Sequence, residues 1–299
     1  MNMSNLISCR RRGIILAGGN GTRLYPITSS VSKQLLPIYD KPMIFYPLST
    51  LMMANIRDIL IITTERDNYL FKDLLGNGDH LGINIEYAIQ KQPNGIAQSL
   101  IIAEEFLKDY LPVLILGDNL FHGLEFSEKL LKASKREEGA TIFGYSVKDP
   151  QRYGVIKMDK NKNVIKIIEK PKKFVSNYAV TGIYFYDDTA VERSKAIKPS
   201  SRGELEITDL NNSYIKDNLL NAELMSGGMA WLDTGTFDSL HEASSYVKIL
   251  ESRQGVKVGC PEELAWNKGW IGNSDLENIA LNNKNNSYGN YLFSLLENF

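Results

Sequence analysis

The chain has 299 residues, with 34 Lys and Arg against 35 Asp and Glu, a formal net charge of −1, 43% apolar residues and 23% charged residues. At ~150 residues per domain this length admits two domains or one large α/β unit, with roughly three quarters of the unfolded surface buried on folding. Balanced charge argues against a general nucleic-acid binder, ordinary composition excludes wholesale disorder, and no stretch approaches the ~20 apolar residues of a membrane helix.

Read from the start, Arg10-Arg11-Arg12 precedes the apolar Ile14-Ile15-Leu16-Ala17. A secretory signal needs an apolar run of about 7–15 residues, and this one stops at Gly18-Gly19. The segment therefore reads as a first buried strand, residues 13–17, behind a polar tail at 1–12. Further short apolar runs at 59–63, 83–88, 113–116, 141–147 and 183–186 predict strands. Between them, residues 43–54, 69–75, 97–106 and 127–135 carry apolar residues near helical spacing. The alternation implies βαβ units and a mostly parallel sheet with helices on both faces. From 153 to 168 the pattern becomes alternating strand pieces around a turn at 159–163, which suggests a smaller β lobe. After Thr236 the chain reads helical over 239–253, 261–267 and 288–297, with a surface loop at 282–286. The expected division is a core at 13–238, with halves at about 13–135 and 136–238, and a helical C-terminal region at 239–299. Cys9 and Cys260 are too few for a disulfide framework and fit reduced thiols, so a cytoplasmic protein is expected.

In open parallel sheets ligands sit beyond the carboxyl ends of the strands, and three polar clusters fall there. The first is Gly18-Gly19-Asn20-Gly21-Thr22-Arg23-Leu24. Its three glycines allow close approach of backbone N–H groups to a phosphate chain, and Arg23 offers a planar fork of donors. It is neither a Walker loop nor G-x-G-x-x-G, since Leu24 stands at the third glycine position. Taken alone, it also fits a purely structural turn. The second is Ser32-Lys33-Gln34-Leu35-Leu36-Pro37, whose lysine can return to the same anion cluster. The third is Leu114-Ile115-Leu116-Gly117-Asp118-Asn119, a buried strand ending in an acid suited to a hard cation such as Mg²⁺. Asp233, in Trp231-Leu232-Asp233-Thr234-Gly235-Thr236, is a second candidate acid. Either aspartate by itself is equally a turn or cap residue.

Together, G-G-x-G-T-R-L and S-K-Q-L-L-P resemble the sugar nucleotidyltransferases, and the fuller string at 33–43 (K-Q-L-L-P-I-Y-D-K-P-M) is most similar to the glucose-1-phosphate thymidylyltransferase branch. The resemblance runs from about Gly13 to near the C-terminus. It implies a Rossmann-like α/β fold of the nucleotide-diphospho-sugar transferase type. It also implies a nucleotide site at Gly18, Gly19, Gly21, Thr22, Gln34, Gln90 and Gly95, and catalytic Arg23 and Lys33. Asp118 and Asp233 match the family's metal-binding pair. Gln90 and Gly95 lie in Gln90-Lys91-Gln92-Pro93-Asn94-Gly95-Ile96-Ala97-Gln98, which reads the base; Lys91 and Asn94 replace the more usual Pro and Asp. A Gln offers both a donor and an acceptor to a pyrimidine imide. The sugar phosphate is implied to meet Asn119, Tyr153, Gly154, Glu169, Lys170, Val180, Arg202 and Trp231.

The implied reaction is attack by the phosphate oxygen of glucose 1-phosphate on the α-phosphorus of dTTP, giving dTDP-glucose and pyrophosphate, the first step toward dTDP-deoxysugars such as dTDP-rhamnose. Roughly six negative charges then meet in one site. The sequence shows no triad signature, so positioning and electrostatics carry the expected catalysis, with Mg²⁺, Arg23, Lys33, Lys170 and Arg202 supplying positive charge. A homotetramer is the family expectation, with no nucleic acid or membrane partner. Rival readings are a different nucleotide (UTP or CTP), a catalytically dead homologue, and a Rossmann dehydrogenase, the last disfavoured by the missing glycine.

Overall fold

The computed structural model of the chain describes residues 10–19 and 21–297. The elements follow in order: β1 (Arg11–Ala17), the short ribbon β2 (Pro37–Ile38) and β3 (Lys41–Pro42), α1 (Phe45–Met53), β4 (Asp58–Thr63), α2 (Asn68–Leu75), β5 (Asn84–Ile89), α3 (Gln98–Ile102) and β6 (Leu111–Leu116). Next come β7 (Asn119–His122), α4 (Phe126–Ser134), β8 (Ala140–Ser146), β9 (Gly154–Met158), β10 (Val164–Glu169), β11 (Tyr178–Phe185), α5 (Ala190–Ala196), α6 (Ile207–Lys216), β12 (Leu220–Leu224) and β13 (Ala230–Asp233). The chain ends with α7 (Phe237–Gln254), α8 (Pro261–Asn267), α9 (Asn273–Asn282) and α10 (Ser287–Glu297).

The first half builds a parallel run in the order β6-β1-β4-β5, with Ile15 paired to both Ile61 and Ile115. The second half attaches antiparallel, because β11 pairs with β6, β8 and β9, and β9 with β10. The result is a nine-stranded, mostly parallel central sheet flanked by helices, with two small antiparallel ribbons apart from it. Side chains alternate along a strand, and β1 uses both faces. Ile15 and Ala17 join a core layer with Leu48 of α1, Leu130 of α4 and Leu276 of α9. Ile14 and Leu16 join the opposite layer with Leu100 of α3 and Leu210 and Tyr214 of α6.

The first strand begins at Arg11, not Gly13, so Arg11 and Arg12 leave the expected polar tail; residues 1–9 of that tail lie outside the described residues. Arg11 is only 3% exposed. Its guanidinium donates to the carbonyls of Ser134 (2.8 Å), Tyr186 (2.9 Å) and Arg136, and lies over the Phe185 ring. Backbone carbonyls that accept from Nε and from both terminal nitrogens make a charge tolerable at this sheet end. The helix expected at 97–106 ends early, at Ile102, and α9 adds a helix where no strong apolar period predicts one. The 159–163 turn is built by Asp159, whose Oδ1 accepts from the N–H groups of Asn161 (2.8 Å) and Asn163 (2.9 Å). Among the described residues no helix is long and apolar enough to cross a membrane, and Cys260 is a buried free thiol.

A charged clamp fastens α7 and the segment before α8 to the β2–β3 ribbon. Lys41 Nζ donates to Asp40 (2.5 Å), to Glu251 of α7 (3.0 Å) and to the Val258 carbonyl (3.1 Å). Lys257 donates to Glu251 (2.9 Å) and to Asp40. Burial pushes the Asp40 carboxyl up, but Lys257 and Lys41 outweigh it and hold it below the ordinary value of 3.8. Breaking a paired, largely buried charge destabilises a fold, and Asp40→Asn is expected to cost about 1–3 kcal/mol at neutral pH. The Asp40 contribution is complete above the unfolded pKa and is lost as pH falls through the depressed folded one. Thermal melts of parent and variant should therefore differ at pH 7 and converge in acid.

Candidate active site

The loops after β1, β5 and β6 rise at one edge of the sheet, and because β11 runs antiparallel to β6 its opening residues Val180 and Gly182 stand beside the end of β6. Between them lies a cavity of about 450 Å³ lined by Gly18, Arg23, Gln34, Gln90, Gly95, Asp118, Asn119, Tyr153, Gly154, Glu169, Lys170, Val180, Arg202, Trp231 and Asp233. An adjoining cleft of about 230 Å³ is lined by Gly18, Gly19, Gly21, Thr22, Arg23, Lys33, Gln34 and Asp118. Every site residue expected from the sequence borders one of these spaces, and Gly18, Arg23, Gln34 and Asp118 border both.

The acidic pair is assembled by the ribbon of β7 and β13, whose register sets Asp233 opposite Asn119. Thr234 Oγ1 and the Thr234 N–H both meet the Asp118 carbonyl (2.9 and 3.3 Å), which fixes the turn carrying the acids. Lys33, 6% exposed, donates to Asp118 Oδ2 at 2.5 Å. Burial pushes Asp118 up, yet the Lys33 charge and hydrogen bonds from Lys33 and Asn119 hold it below the ordinary carboxylate range. Asp233 is driven the other way, by burial and then by the Asp118 charge. Two carboxylates thus face one cavity with a lysine bonded to one of them, Asp118, an arrangement that a further cation relieves. Exposed Arg23 approaches this group, since a Cβ at Gly235 would stand 3.1 Å from both an Arg23 nitrogen and Asp233 Oδ1.

Asn119 does more than line the wall. Its Oδ1 accepts from Trp231 Nε1 (2.6 Å) and the Gly182 N–H (3.1 Å), and its Nδ2 donates to Asp118 Oδ1 (2.9 Å). The amide oxygen is therefore engaged twice within the protein, while one N–H of the amide orients the acid. Trp231 in turn packs against Tyr153 with ring centroids 5.1 Å apart.

At the wall after β5, Gln90 Nε2 donates to Gln98 Oε1 (2.7 Å), which also accepts from the Asn94 N–H (3.2 Å). Gln90 Oε1 lies next to Gly18, where a Cβ would come within 2.6 Å of it. Gly95 has φ +107°, and a Cβ there would stand 2.4 Å from the Leu205 carbonyl oxygen and 2.5 Å from its nitrogen. Only glycine suits that approach, which lets Leu205 N–H donate to Asn94 (2.7 Å) and Ala97 N–H donate to Leu205 (3.2 Å). Gly95→Ala is expected to cost about 1–3 kcal/mol of stability and to raise roughly tenfold the KM of a substrate that the sequence resemblance places against this wall; a melt and steady-state kinetics check both.

On the far side, β9–β10 pairing sets Gly154 opposite Glu169, whose Oε2 accepts from Thr208 Oγ1 (2.6 Å). Lys170 is half exposed and its Nζ lies 3.9 Å from Glu169. Arg202 is not a free cation: it pairs with Glu206 (2.9 Å) and Glu204 (3.3 Å). Thr181, Glu206 and Thr208 also line the cavity, from segments neighbouring the expected Val180 and Arg202, and so do Arg152, Tyr184 and Asn211, which were not expected. Arg152 carries no motif, and Thr208 and Asn211 reach the site only through the placement of α6.

The nucleotidyl transferase family profile matches residues 12–249. A glucose-1-phosphate thymidylyltransferase of Neisseria gonorrhoeae is 53% identical over 95% of this chain and 99% of its own length. One from Xanthomonas campestris is 55% identical over 96% and 97%. Among solved structures, a Bacillus anthracis protein assigned as a glucose-1-phosphate thymidylyltransferase and crystallised with sucrose shares 43% identity and a TM-score of 0.74, over 79% of this chain and 94% of that one. A UDP-glucose pyrophosphorylase bound to UDP-glucose gives 25% identity and a TM-score of 0.71, over 80% and 99%. The chain belongs to the nucleotidyl transferase family and is an enzyme of that class. Within it, the sequence groups with the glucose-1-phosphate thymidylyltransferases.

Proposed function

We propose that this enzyme transfers the thymidylyl group of dTTP to α-D-glucose 1-phosphate, forming dTDP-glucose and pyrophosphate with Mg²⁺, in the cytoplasm, as the entry step to dTDP-deoxysugars such as dTDP-rhamnose. The names of its relatives support the substrates. The observation that carries the chemistry is the Lys33–Asp118–Asp233 group at the join of the two spaces, beside the glycine loop.

The nucleophile is the sugar phosphate itself, so no side chain needs to attack. Gly18, Gly19, Gly21 and Thr22 hold the triphosphate through backbone donors, and Arg23 and Lys33 neutralise charge at the α-phosphorus and the departing pyrophosphate. With Gln90 Nε2 engaged by Gln98, its Oε1 is the acceptor for a pyrimidine imide N–H. Glu169, held by Thr208, accepts from sugar hydroxyls, while Lys170 and Arg152 meet phosphate at the rim. The residues suit Mg²⁺. No group of three or more His, Cys, Asp and Glu is suited to a metal among the described residues, and two carboxylates completed by water and phosphate oxygens is the arrangement this ion favours. When bound, Mg²⁺ supplies neutralisation of phosphate charge. A homotetramer is part of the reading.

The second reading, uridylyl transfer, has the UDP-glucose-bound structural relative in its favour. Steady-state kcat/KM for dTTP, UTP and CTP with glucose 1-phosphate separates the two. A clear preference for dTTP is expected; a preference for UTP replaces the proposal with the second reading.

A further inference from the structure

Gln98 lines neither space of the site, yet it decides what Gln90 can offer there. A primary amide has an acceptor end and a donor end of nearly equal size, so its partners set its polarity. At Gln90 the partners form a chain. The Asn94 N–H is a backbone donor and cannot accept, and it is shared between the Gln92 carbonyl (2.9 Å) and Gln98 Oε1 (3.2 Å). That contact requires an oxygen at the near end of the Gln98 amide. The same oxygen accepts from Gln90 Nε2 at 2.7 Å, and the Gly95 carbonyl lies 3.5 Å from that nitrogen. With two acceptors facing the Gln90 nitrogen, the Gln90 oxygen is turned the other way, toward Gly18.

The chain starts on anchored backbone and ends on open surface. The Asn94 carbonyl accepts from the Leu205 N–H (2.7 Å), and Gly95 is pressed against the Leu205 backbone. Gln98 opens α3, which is seated in the fold by buried Ser99 and Leu100. Gln90 is 5% exposed and lines the cavity. Its Oε1 is not among the side-chain atoms of the described residues that are both sealed and unpartnered, and it accepts from none of those residues, so it keeps surface for a ligand. An acceptor fixed at this point favours a ligand edge that donates. Thymine and uracil carry an N3–H on their pairing edge. Cytosine carries a lone pair at N3, which would face the lone pairs of the amide oxygen.

We propose that Gln98 is a positioning residue for base choice: it holds the Gln90 amide with its oxygen toward the ligand and so selects imide pyrimidines over cytosine. The proposal rests on the nucleotide reading of this site, in which Gln90 meets the base, and Gln98 acts only through Gln90. Specificity is a difference between two affinities, and the relay acts on that difference. Turning the Gln90 amide over exchanges the favoured base, whereas a loosened wall weakens both bases alike.

The test measures kcat/KM for dUTP and dCTP with glucose 1-phosphate, two nucleotides that differ only at the pairing edge of the base. The parent should favour dUTP by a factor on the order of 10–100. Gln98→Met keeps the length of the side chain and removes the acceptor. The ratio should then fall roughly tenfold, the worth of about one hydrogen bond, with the change in KM and not in kcat. Gln98→Glu keeps an acceptor that cannot donate, and its ratio should stay within about twofold of the parental one. If Gln98→Met does not fold, Gln98→Ala takes its place, since alanine is the best helix former and the position is only half-buried. Equal losses on dUTP and dCTP are what a purely structural role predicts, and they overturn the relay while leaving the proposed reaction intact. An unchanged ratio once the acceptor is removed, an equally low ratio in Gln98→Glu, or a parent that prefers dCTP does the same. A parent that consumes none of dTTP, dUTP and dCTP with glucose 1-phosphate overturns the reaction, and the relay with it.

Discussion

Lys33→Ala is expected to lower kcat/KM for pyrophosphate release by a factor on the order of 10²–10³, the usual loss when a preorganised charge at a transition state is removed. Lys33 is the most buried cation of the site and ends 2.5 Å from Asp118. Its loss removes positive charge where the phosphates meet, and it leaves Asp118 with the Asn119 amide as its one remaining side-chain donor among the described residues. Asp118 keeps some contact with solvent, so the fold should survive with a modestly lower melting temperature. Arginine is a poor substitute, because its planar fork does not fit the single-point contact of an ammonium in a closed space, so Lys33→Arg should recover only part of the rate. Single-turnover kinetics with saturating nucleotide and sugar phosphate separate a chemical defect from weakened binding. Near-parental turnover in Lys33→Ala would remove this lysine from the mechanism.

Asp233→Asn is expected to have an effect of similar size, on the order of 10²–10³ in kcat/KM, and also to move the Mg²⁺ concentration at half-maximal rate upward. No hydrogen bond is made by the Asp233 carboxylate to another described residue, and burial and then the Asp118 charge oppose its ionisation. Neutralising one of two facing carboxylates removes that repulsion, so without metal the variant should melt no lower than the parent. A loss of rate with unchanged or improved stability is what distinguishes a ligand from a structural acid. Titration with Mn²⁺ followed by electron paramagnetic resonance reads the affinity directly. Unchanged Mn²⁺ affinity in Asp233→Asn would place the metal elsewhere.

The parallel half of the sheet is legible in the sequence because fully buried strands are nearly continuous apolar runs, as at Ile14–Ala17 and Ile59–Thr63. The short ribbons are not legible. In Asn119–His122 and Ala230–Asp233 four residues are too few for a period, and their pairing joins segments more than a hundred residues apart. The same limit explains the site. Glycine loops and Gly117-Asp118 announce themselves locally, since the constraint and the chemistry lie within a few residues. Arg202 looks like a phosphate contact in sequence, and only the fold pairs it with Glu204 and Glu206. Asn119 looks like a ligand contact, and only the fold sets its amide between Gly182, Trp231 and Asp118. Asn211 carries no signal at all, because only the packing of α6 brings it to the cavity.

The most direct test of the proposed transfer is ³¹P NMR of the enzyme with equimolar dTTP and glucose 1-phosphate and excess Mg²⁺. Equal amounts of dTDP-glucose and pyrophosphate are expected, with both substrates consumed one for one and no reaction when the sugar phosphate is omitted. Release of phosphate or dTDP from dTTP without a dTDP-sugar, or no consumption of dTTP, contradicts thymidylyl transfer.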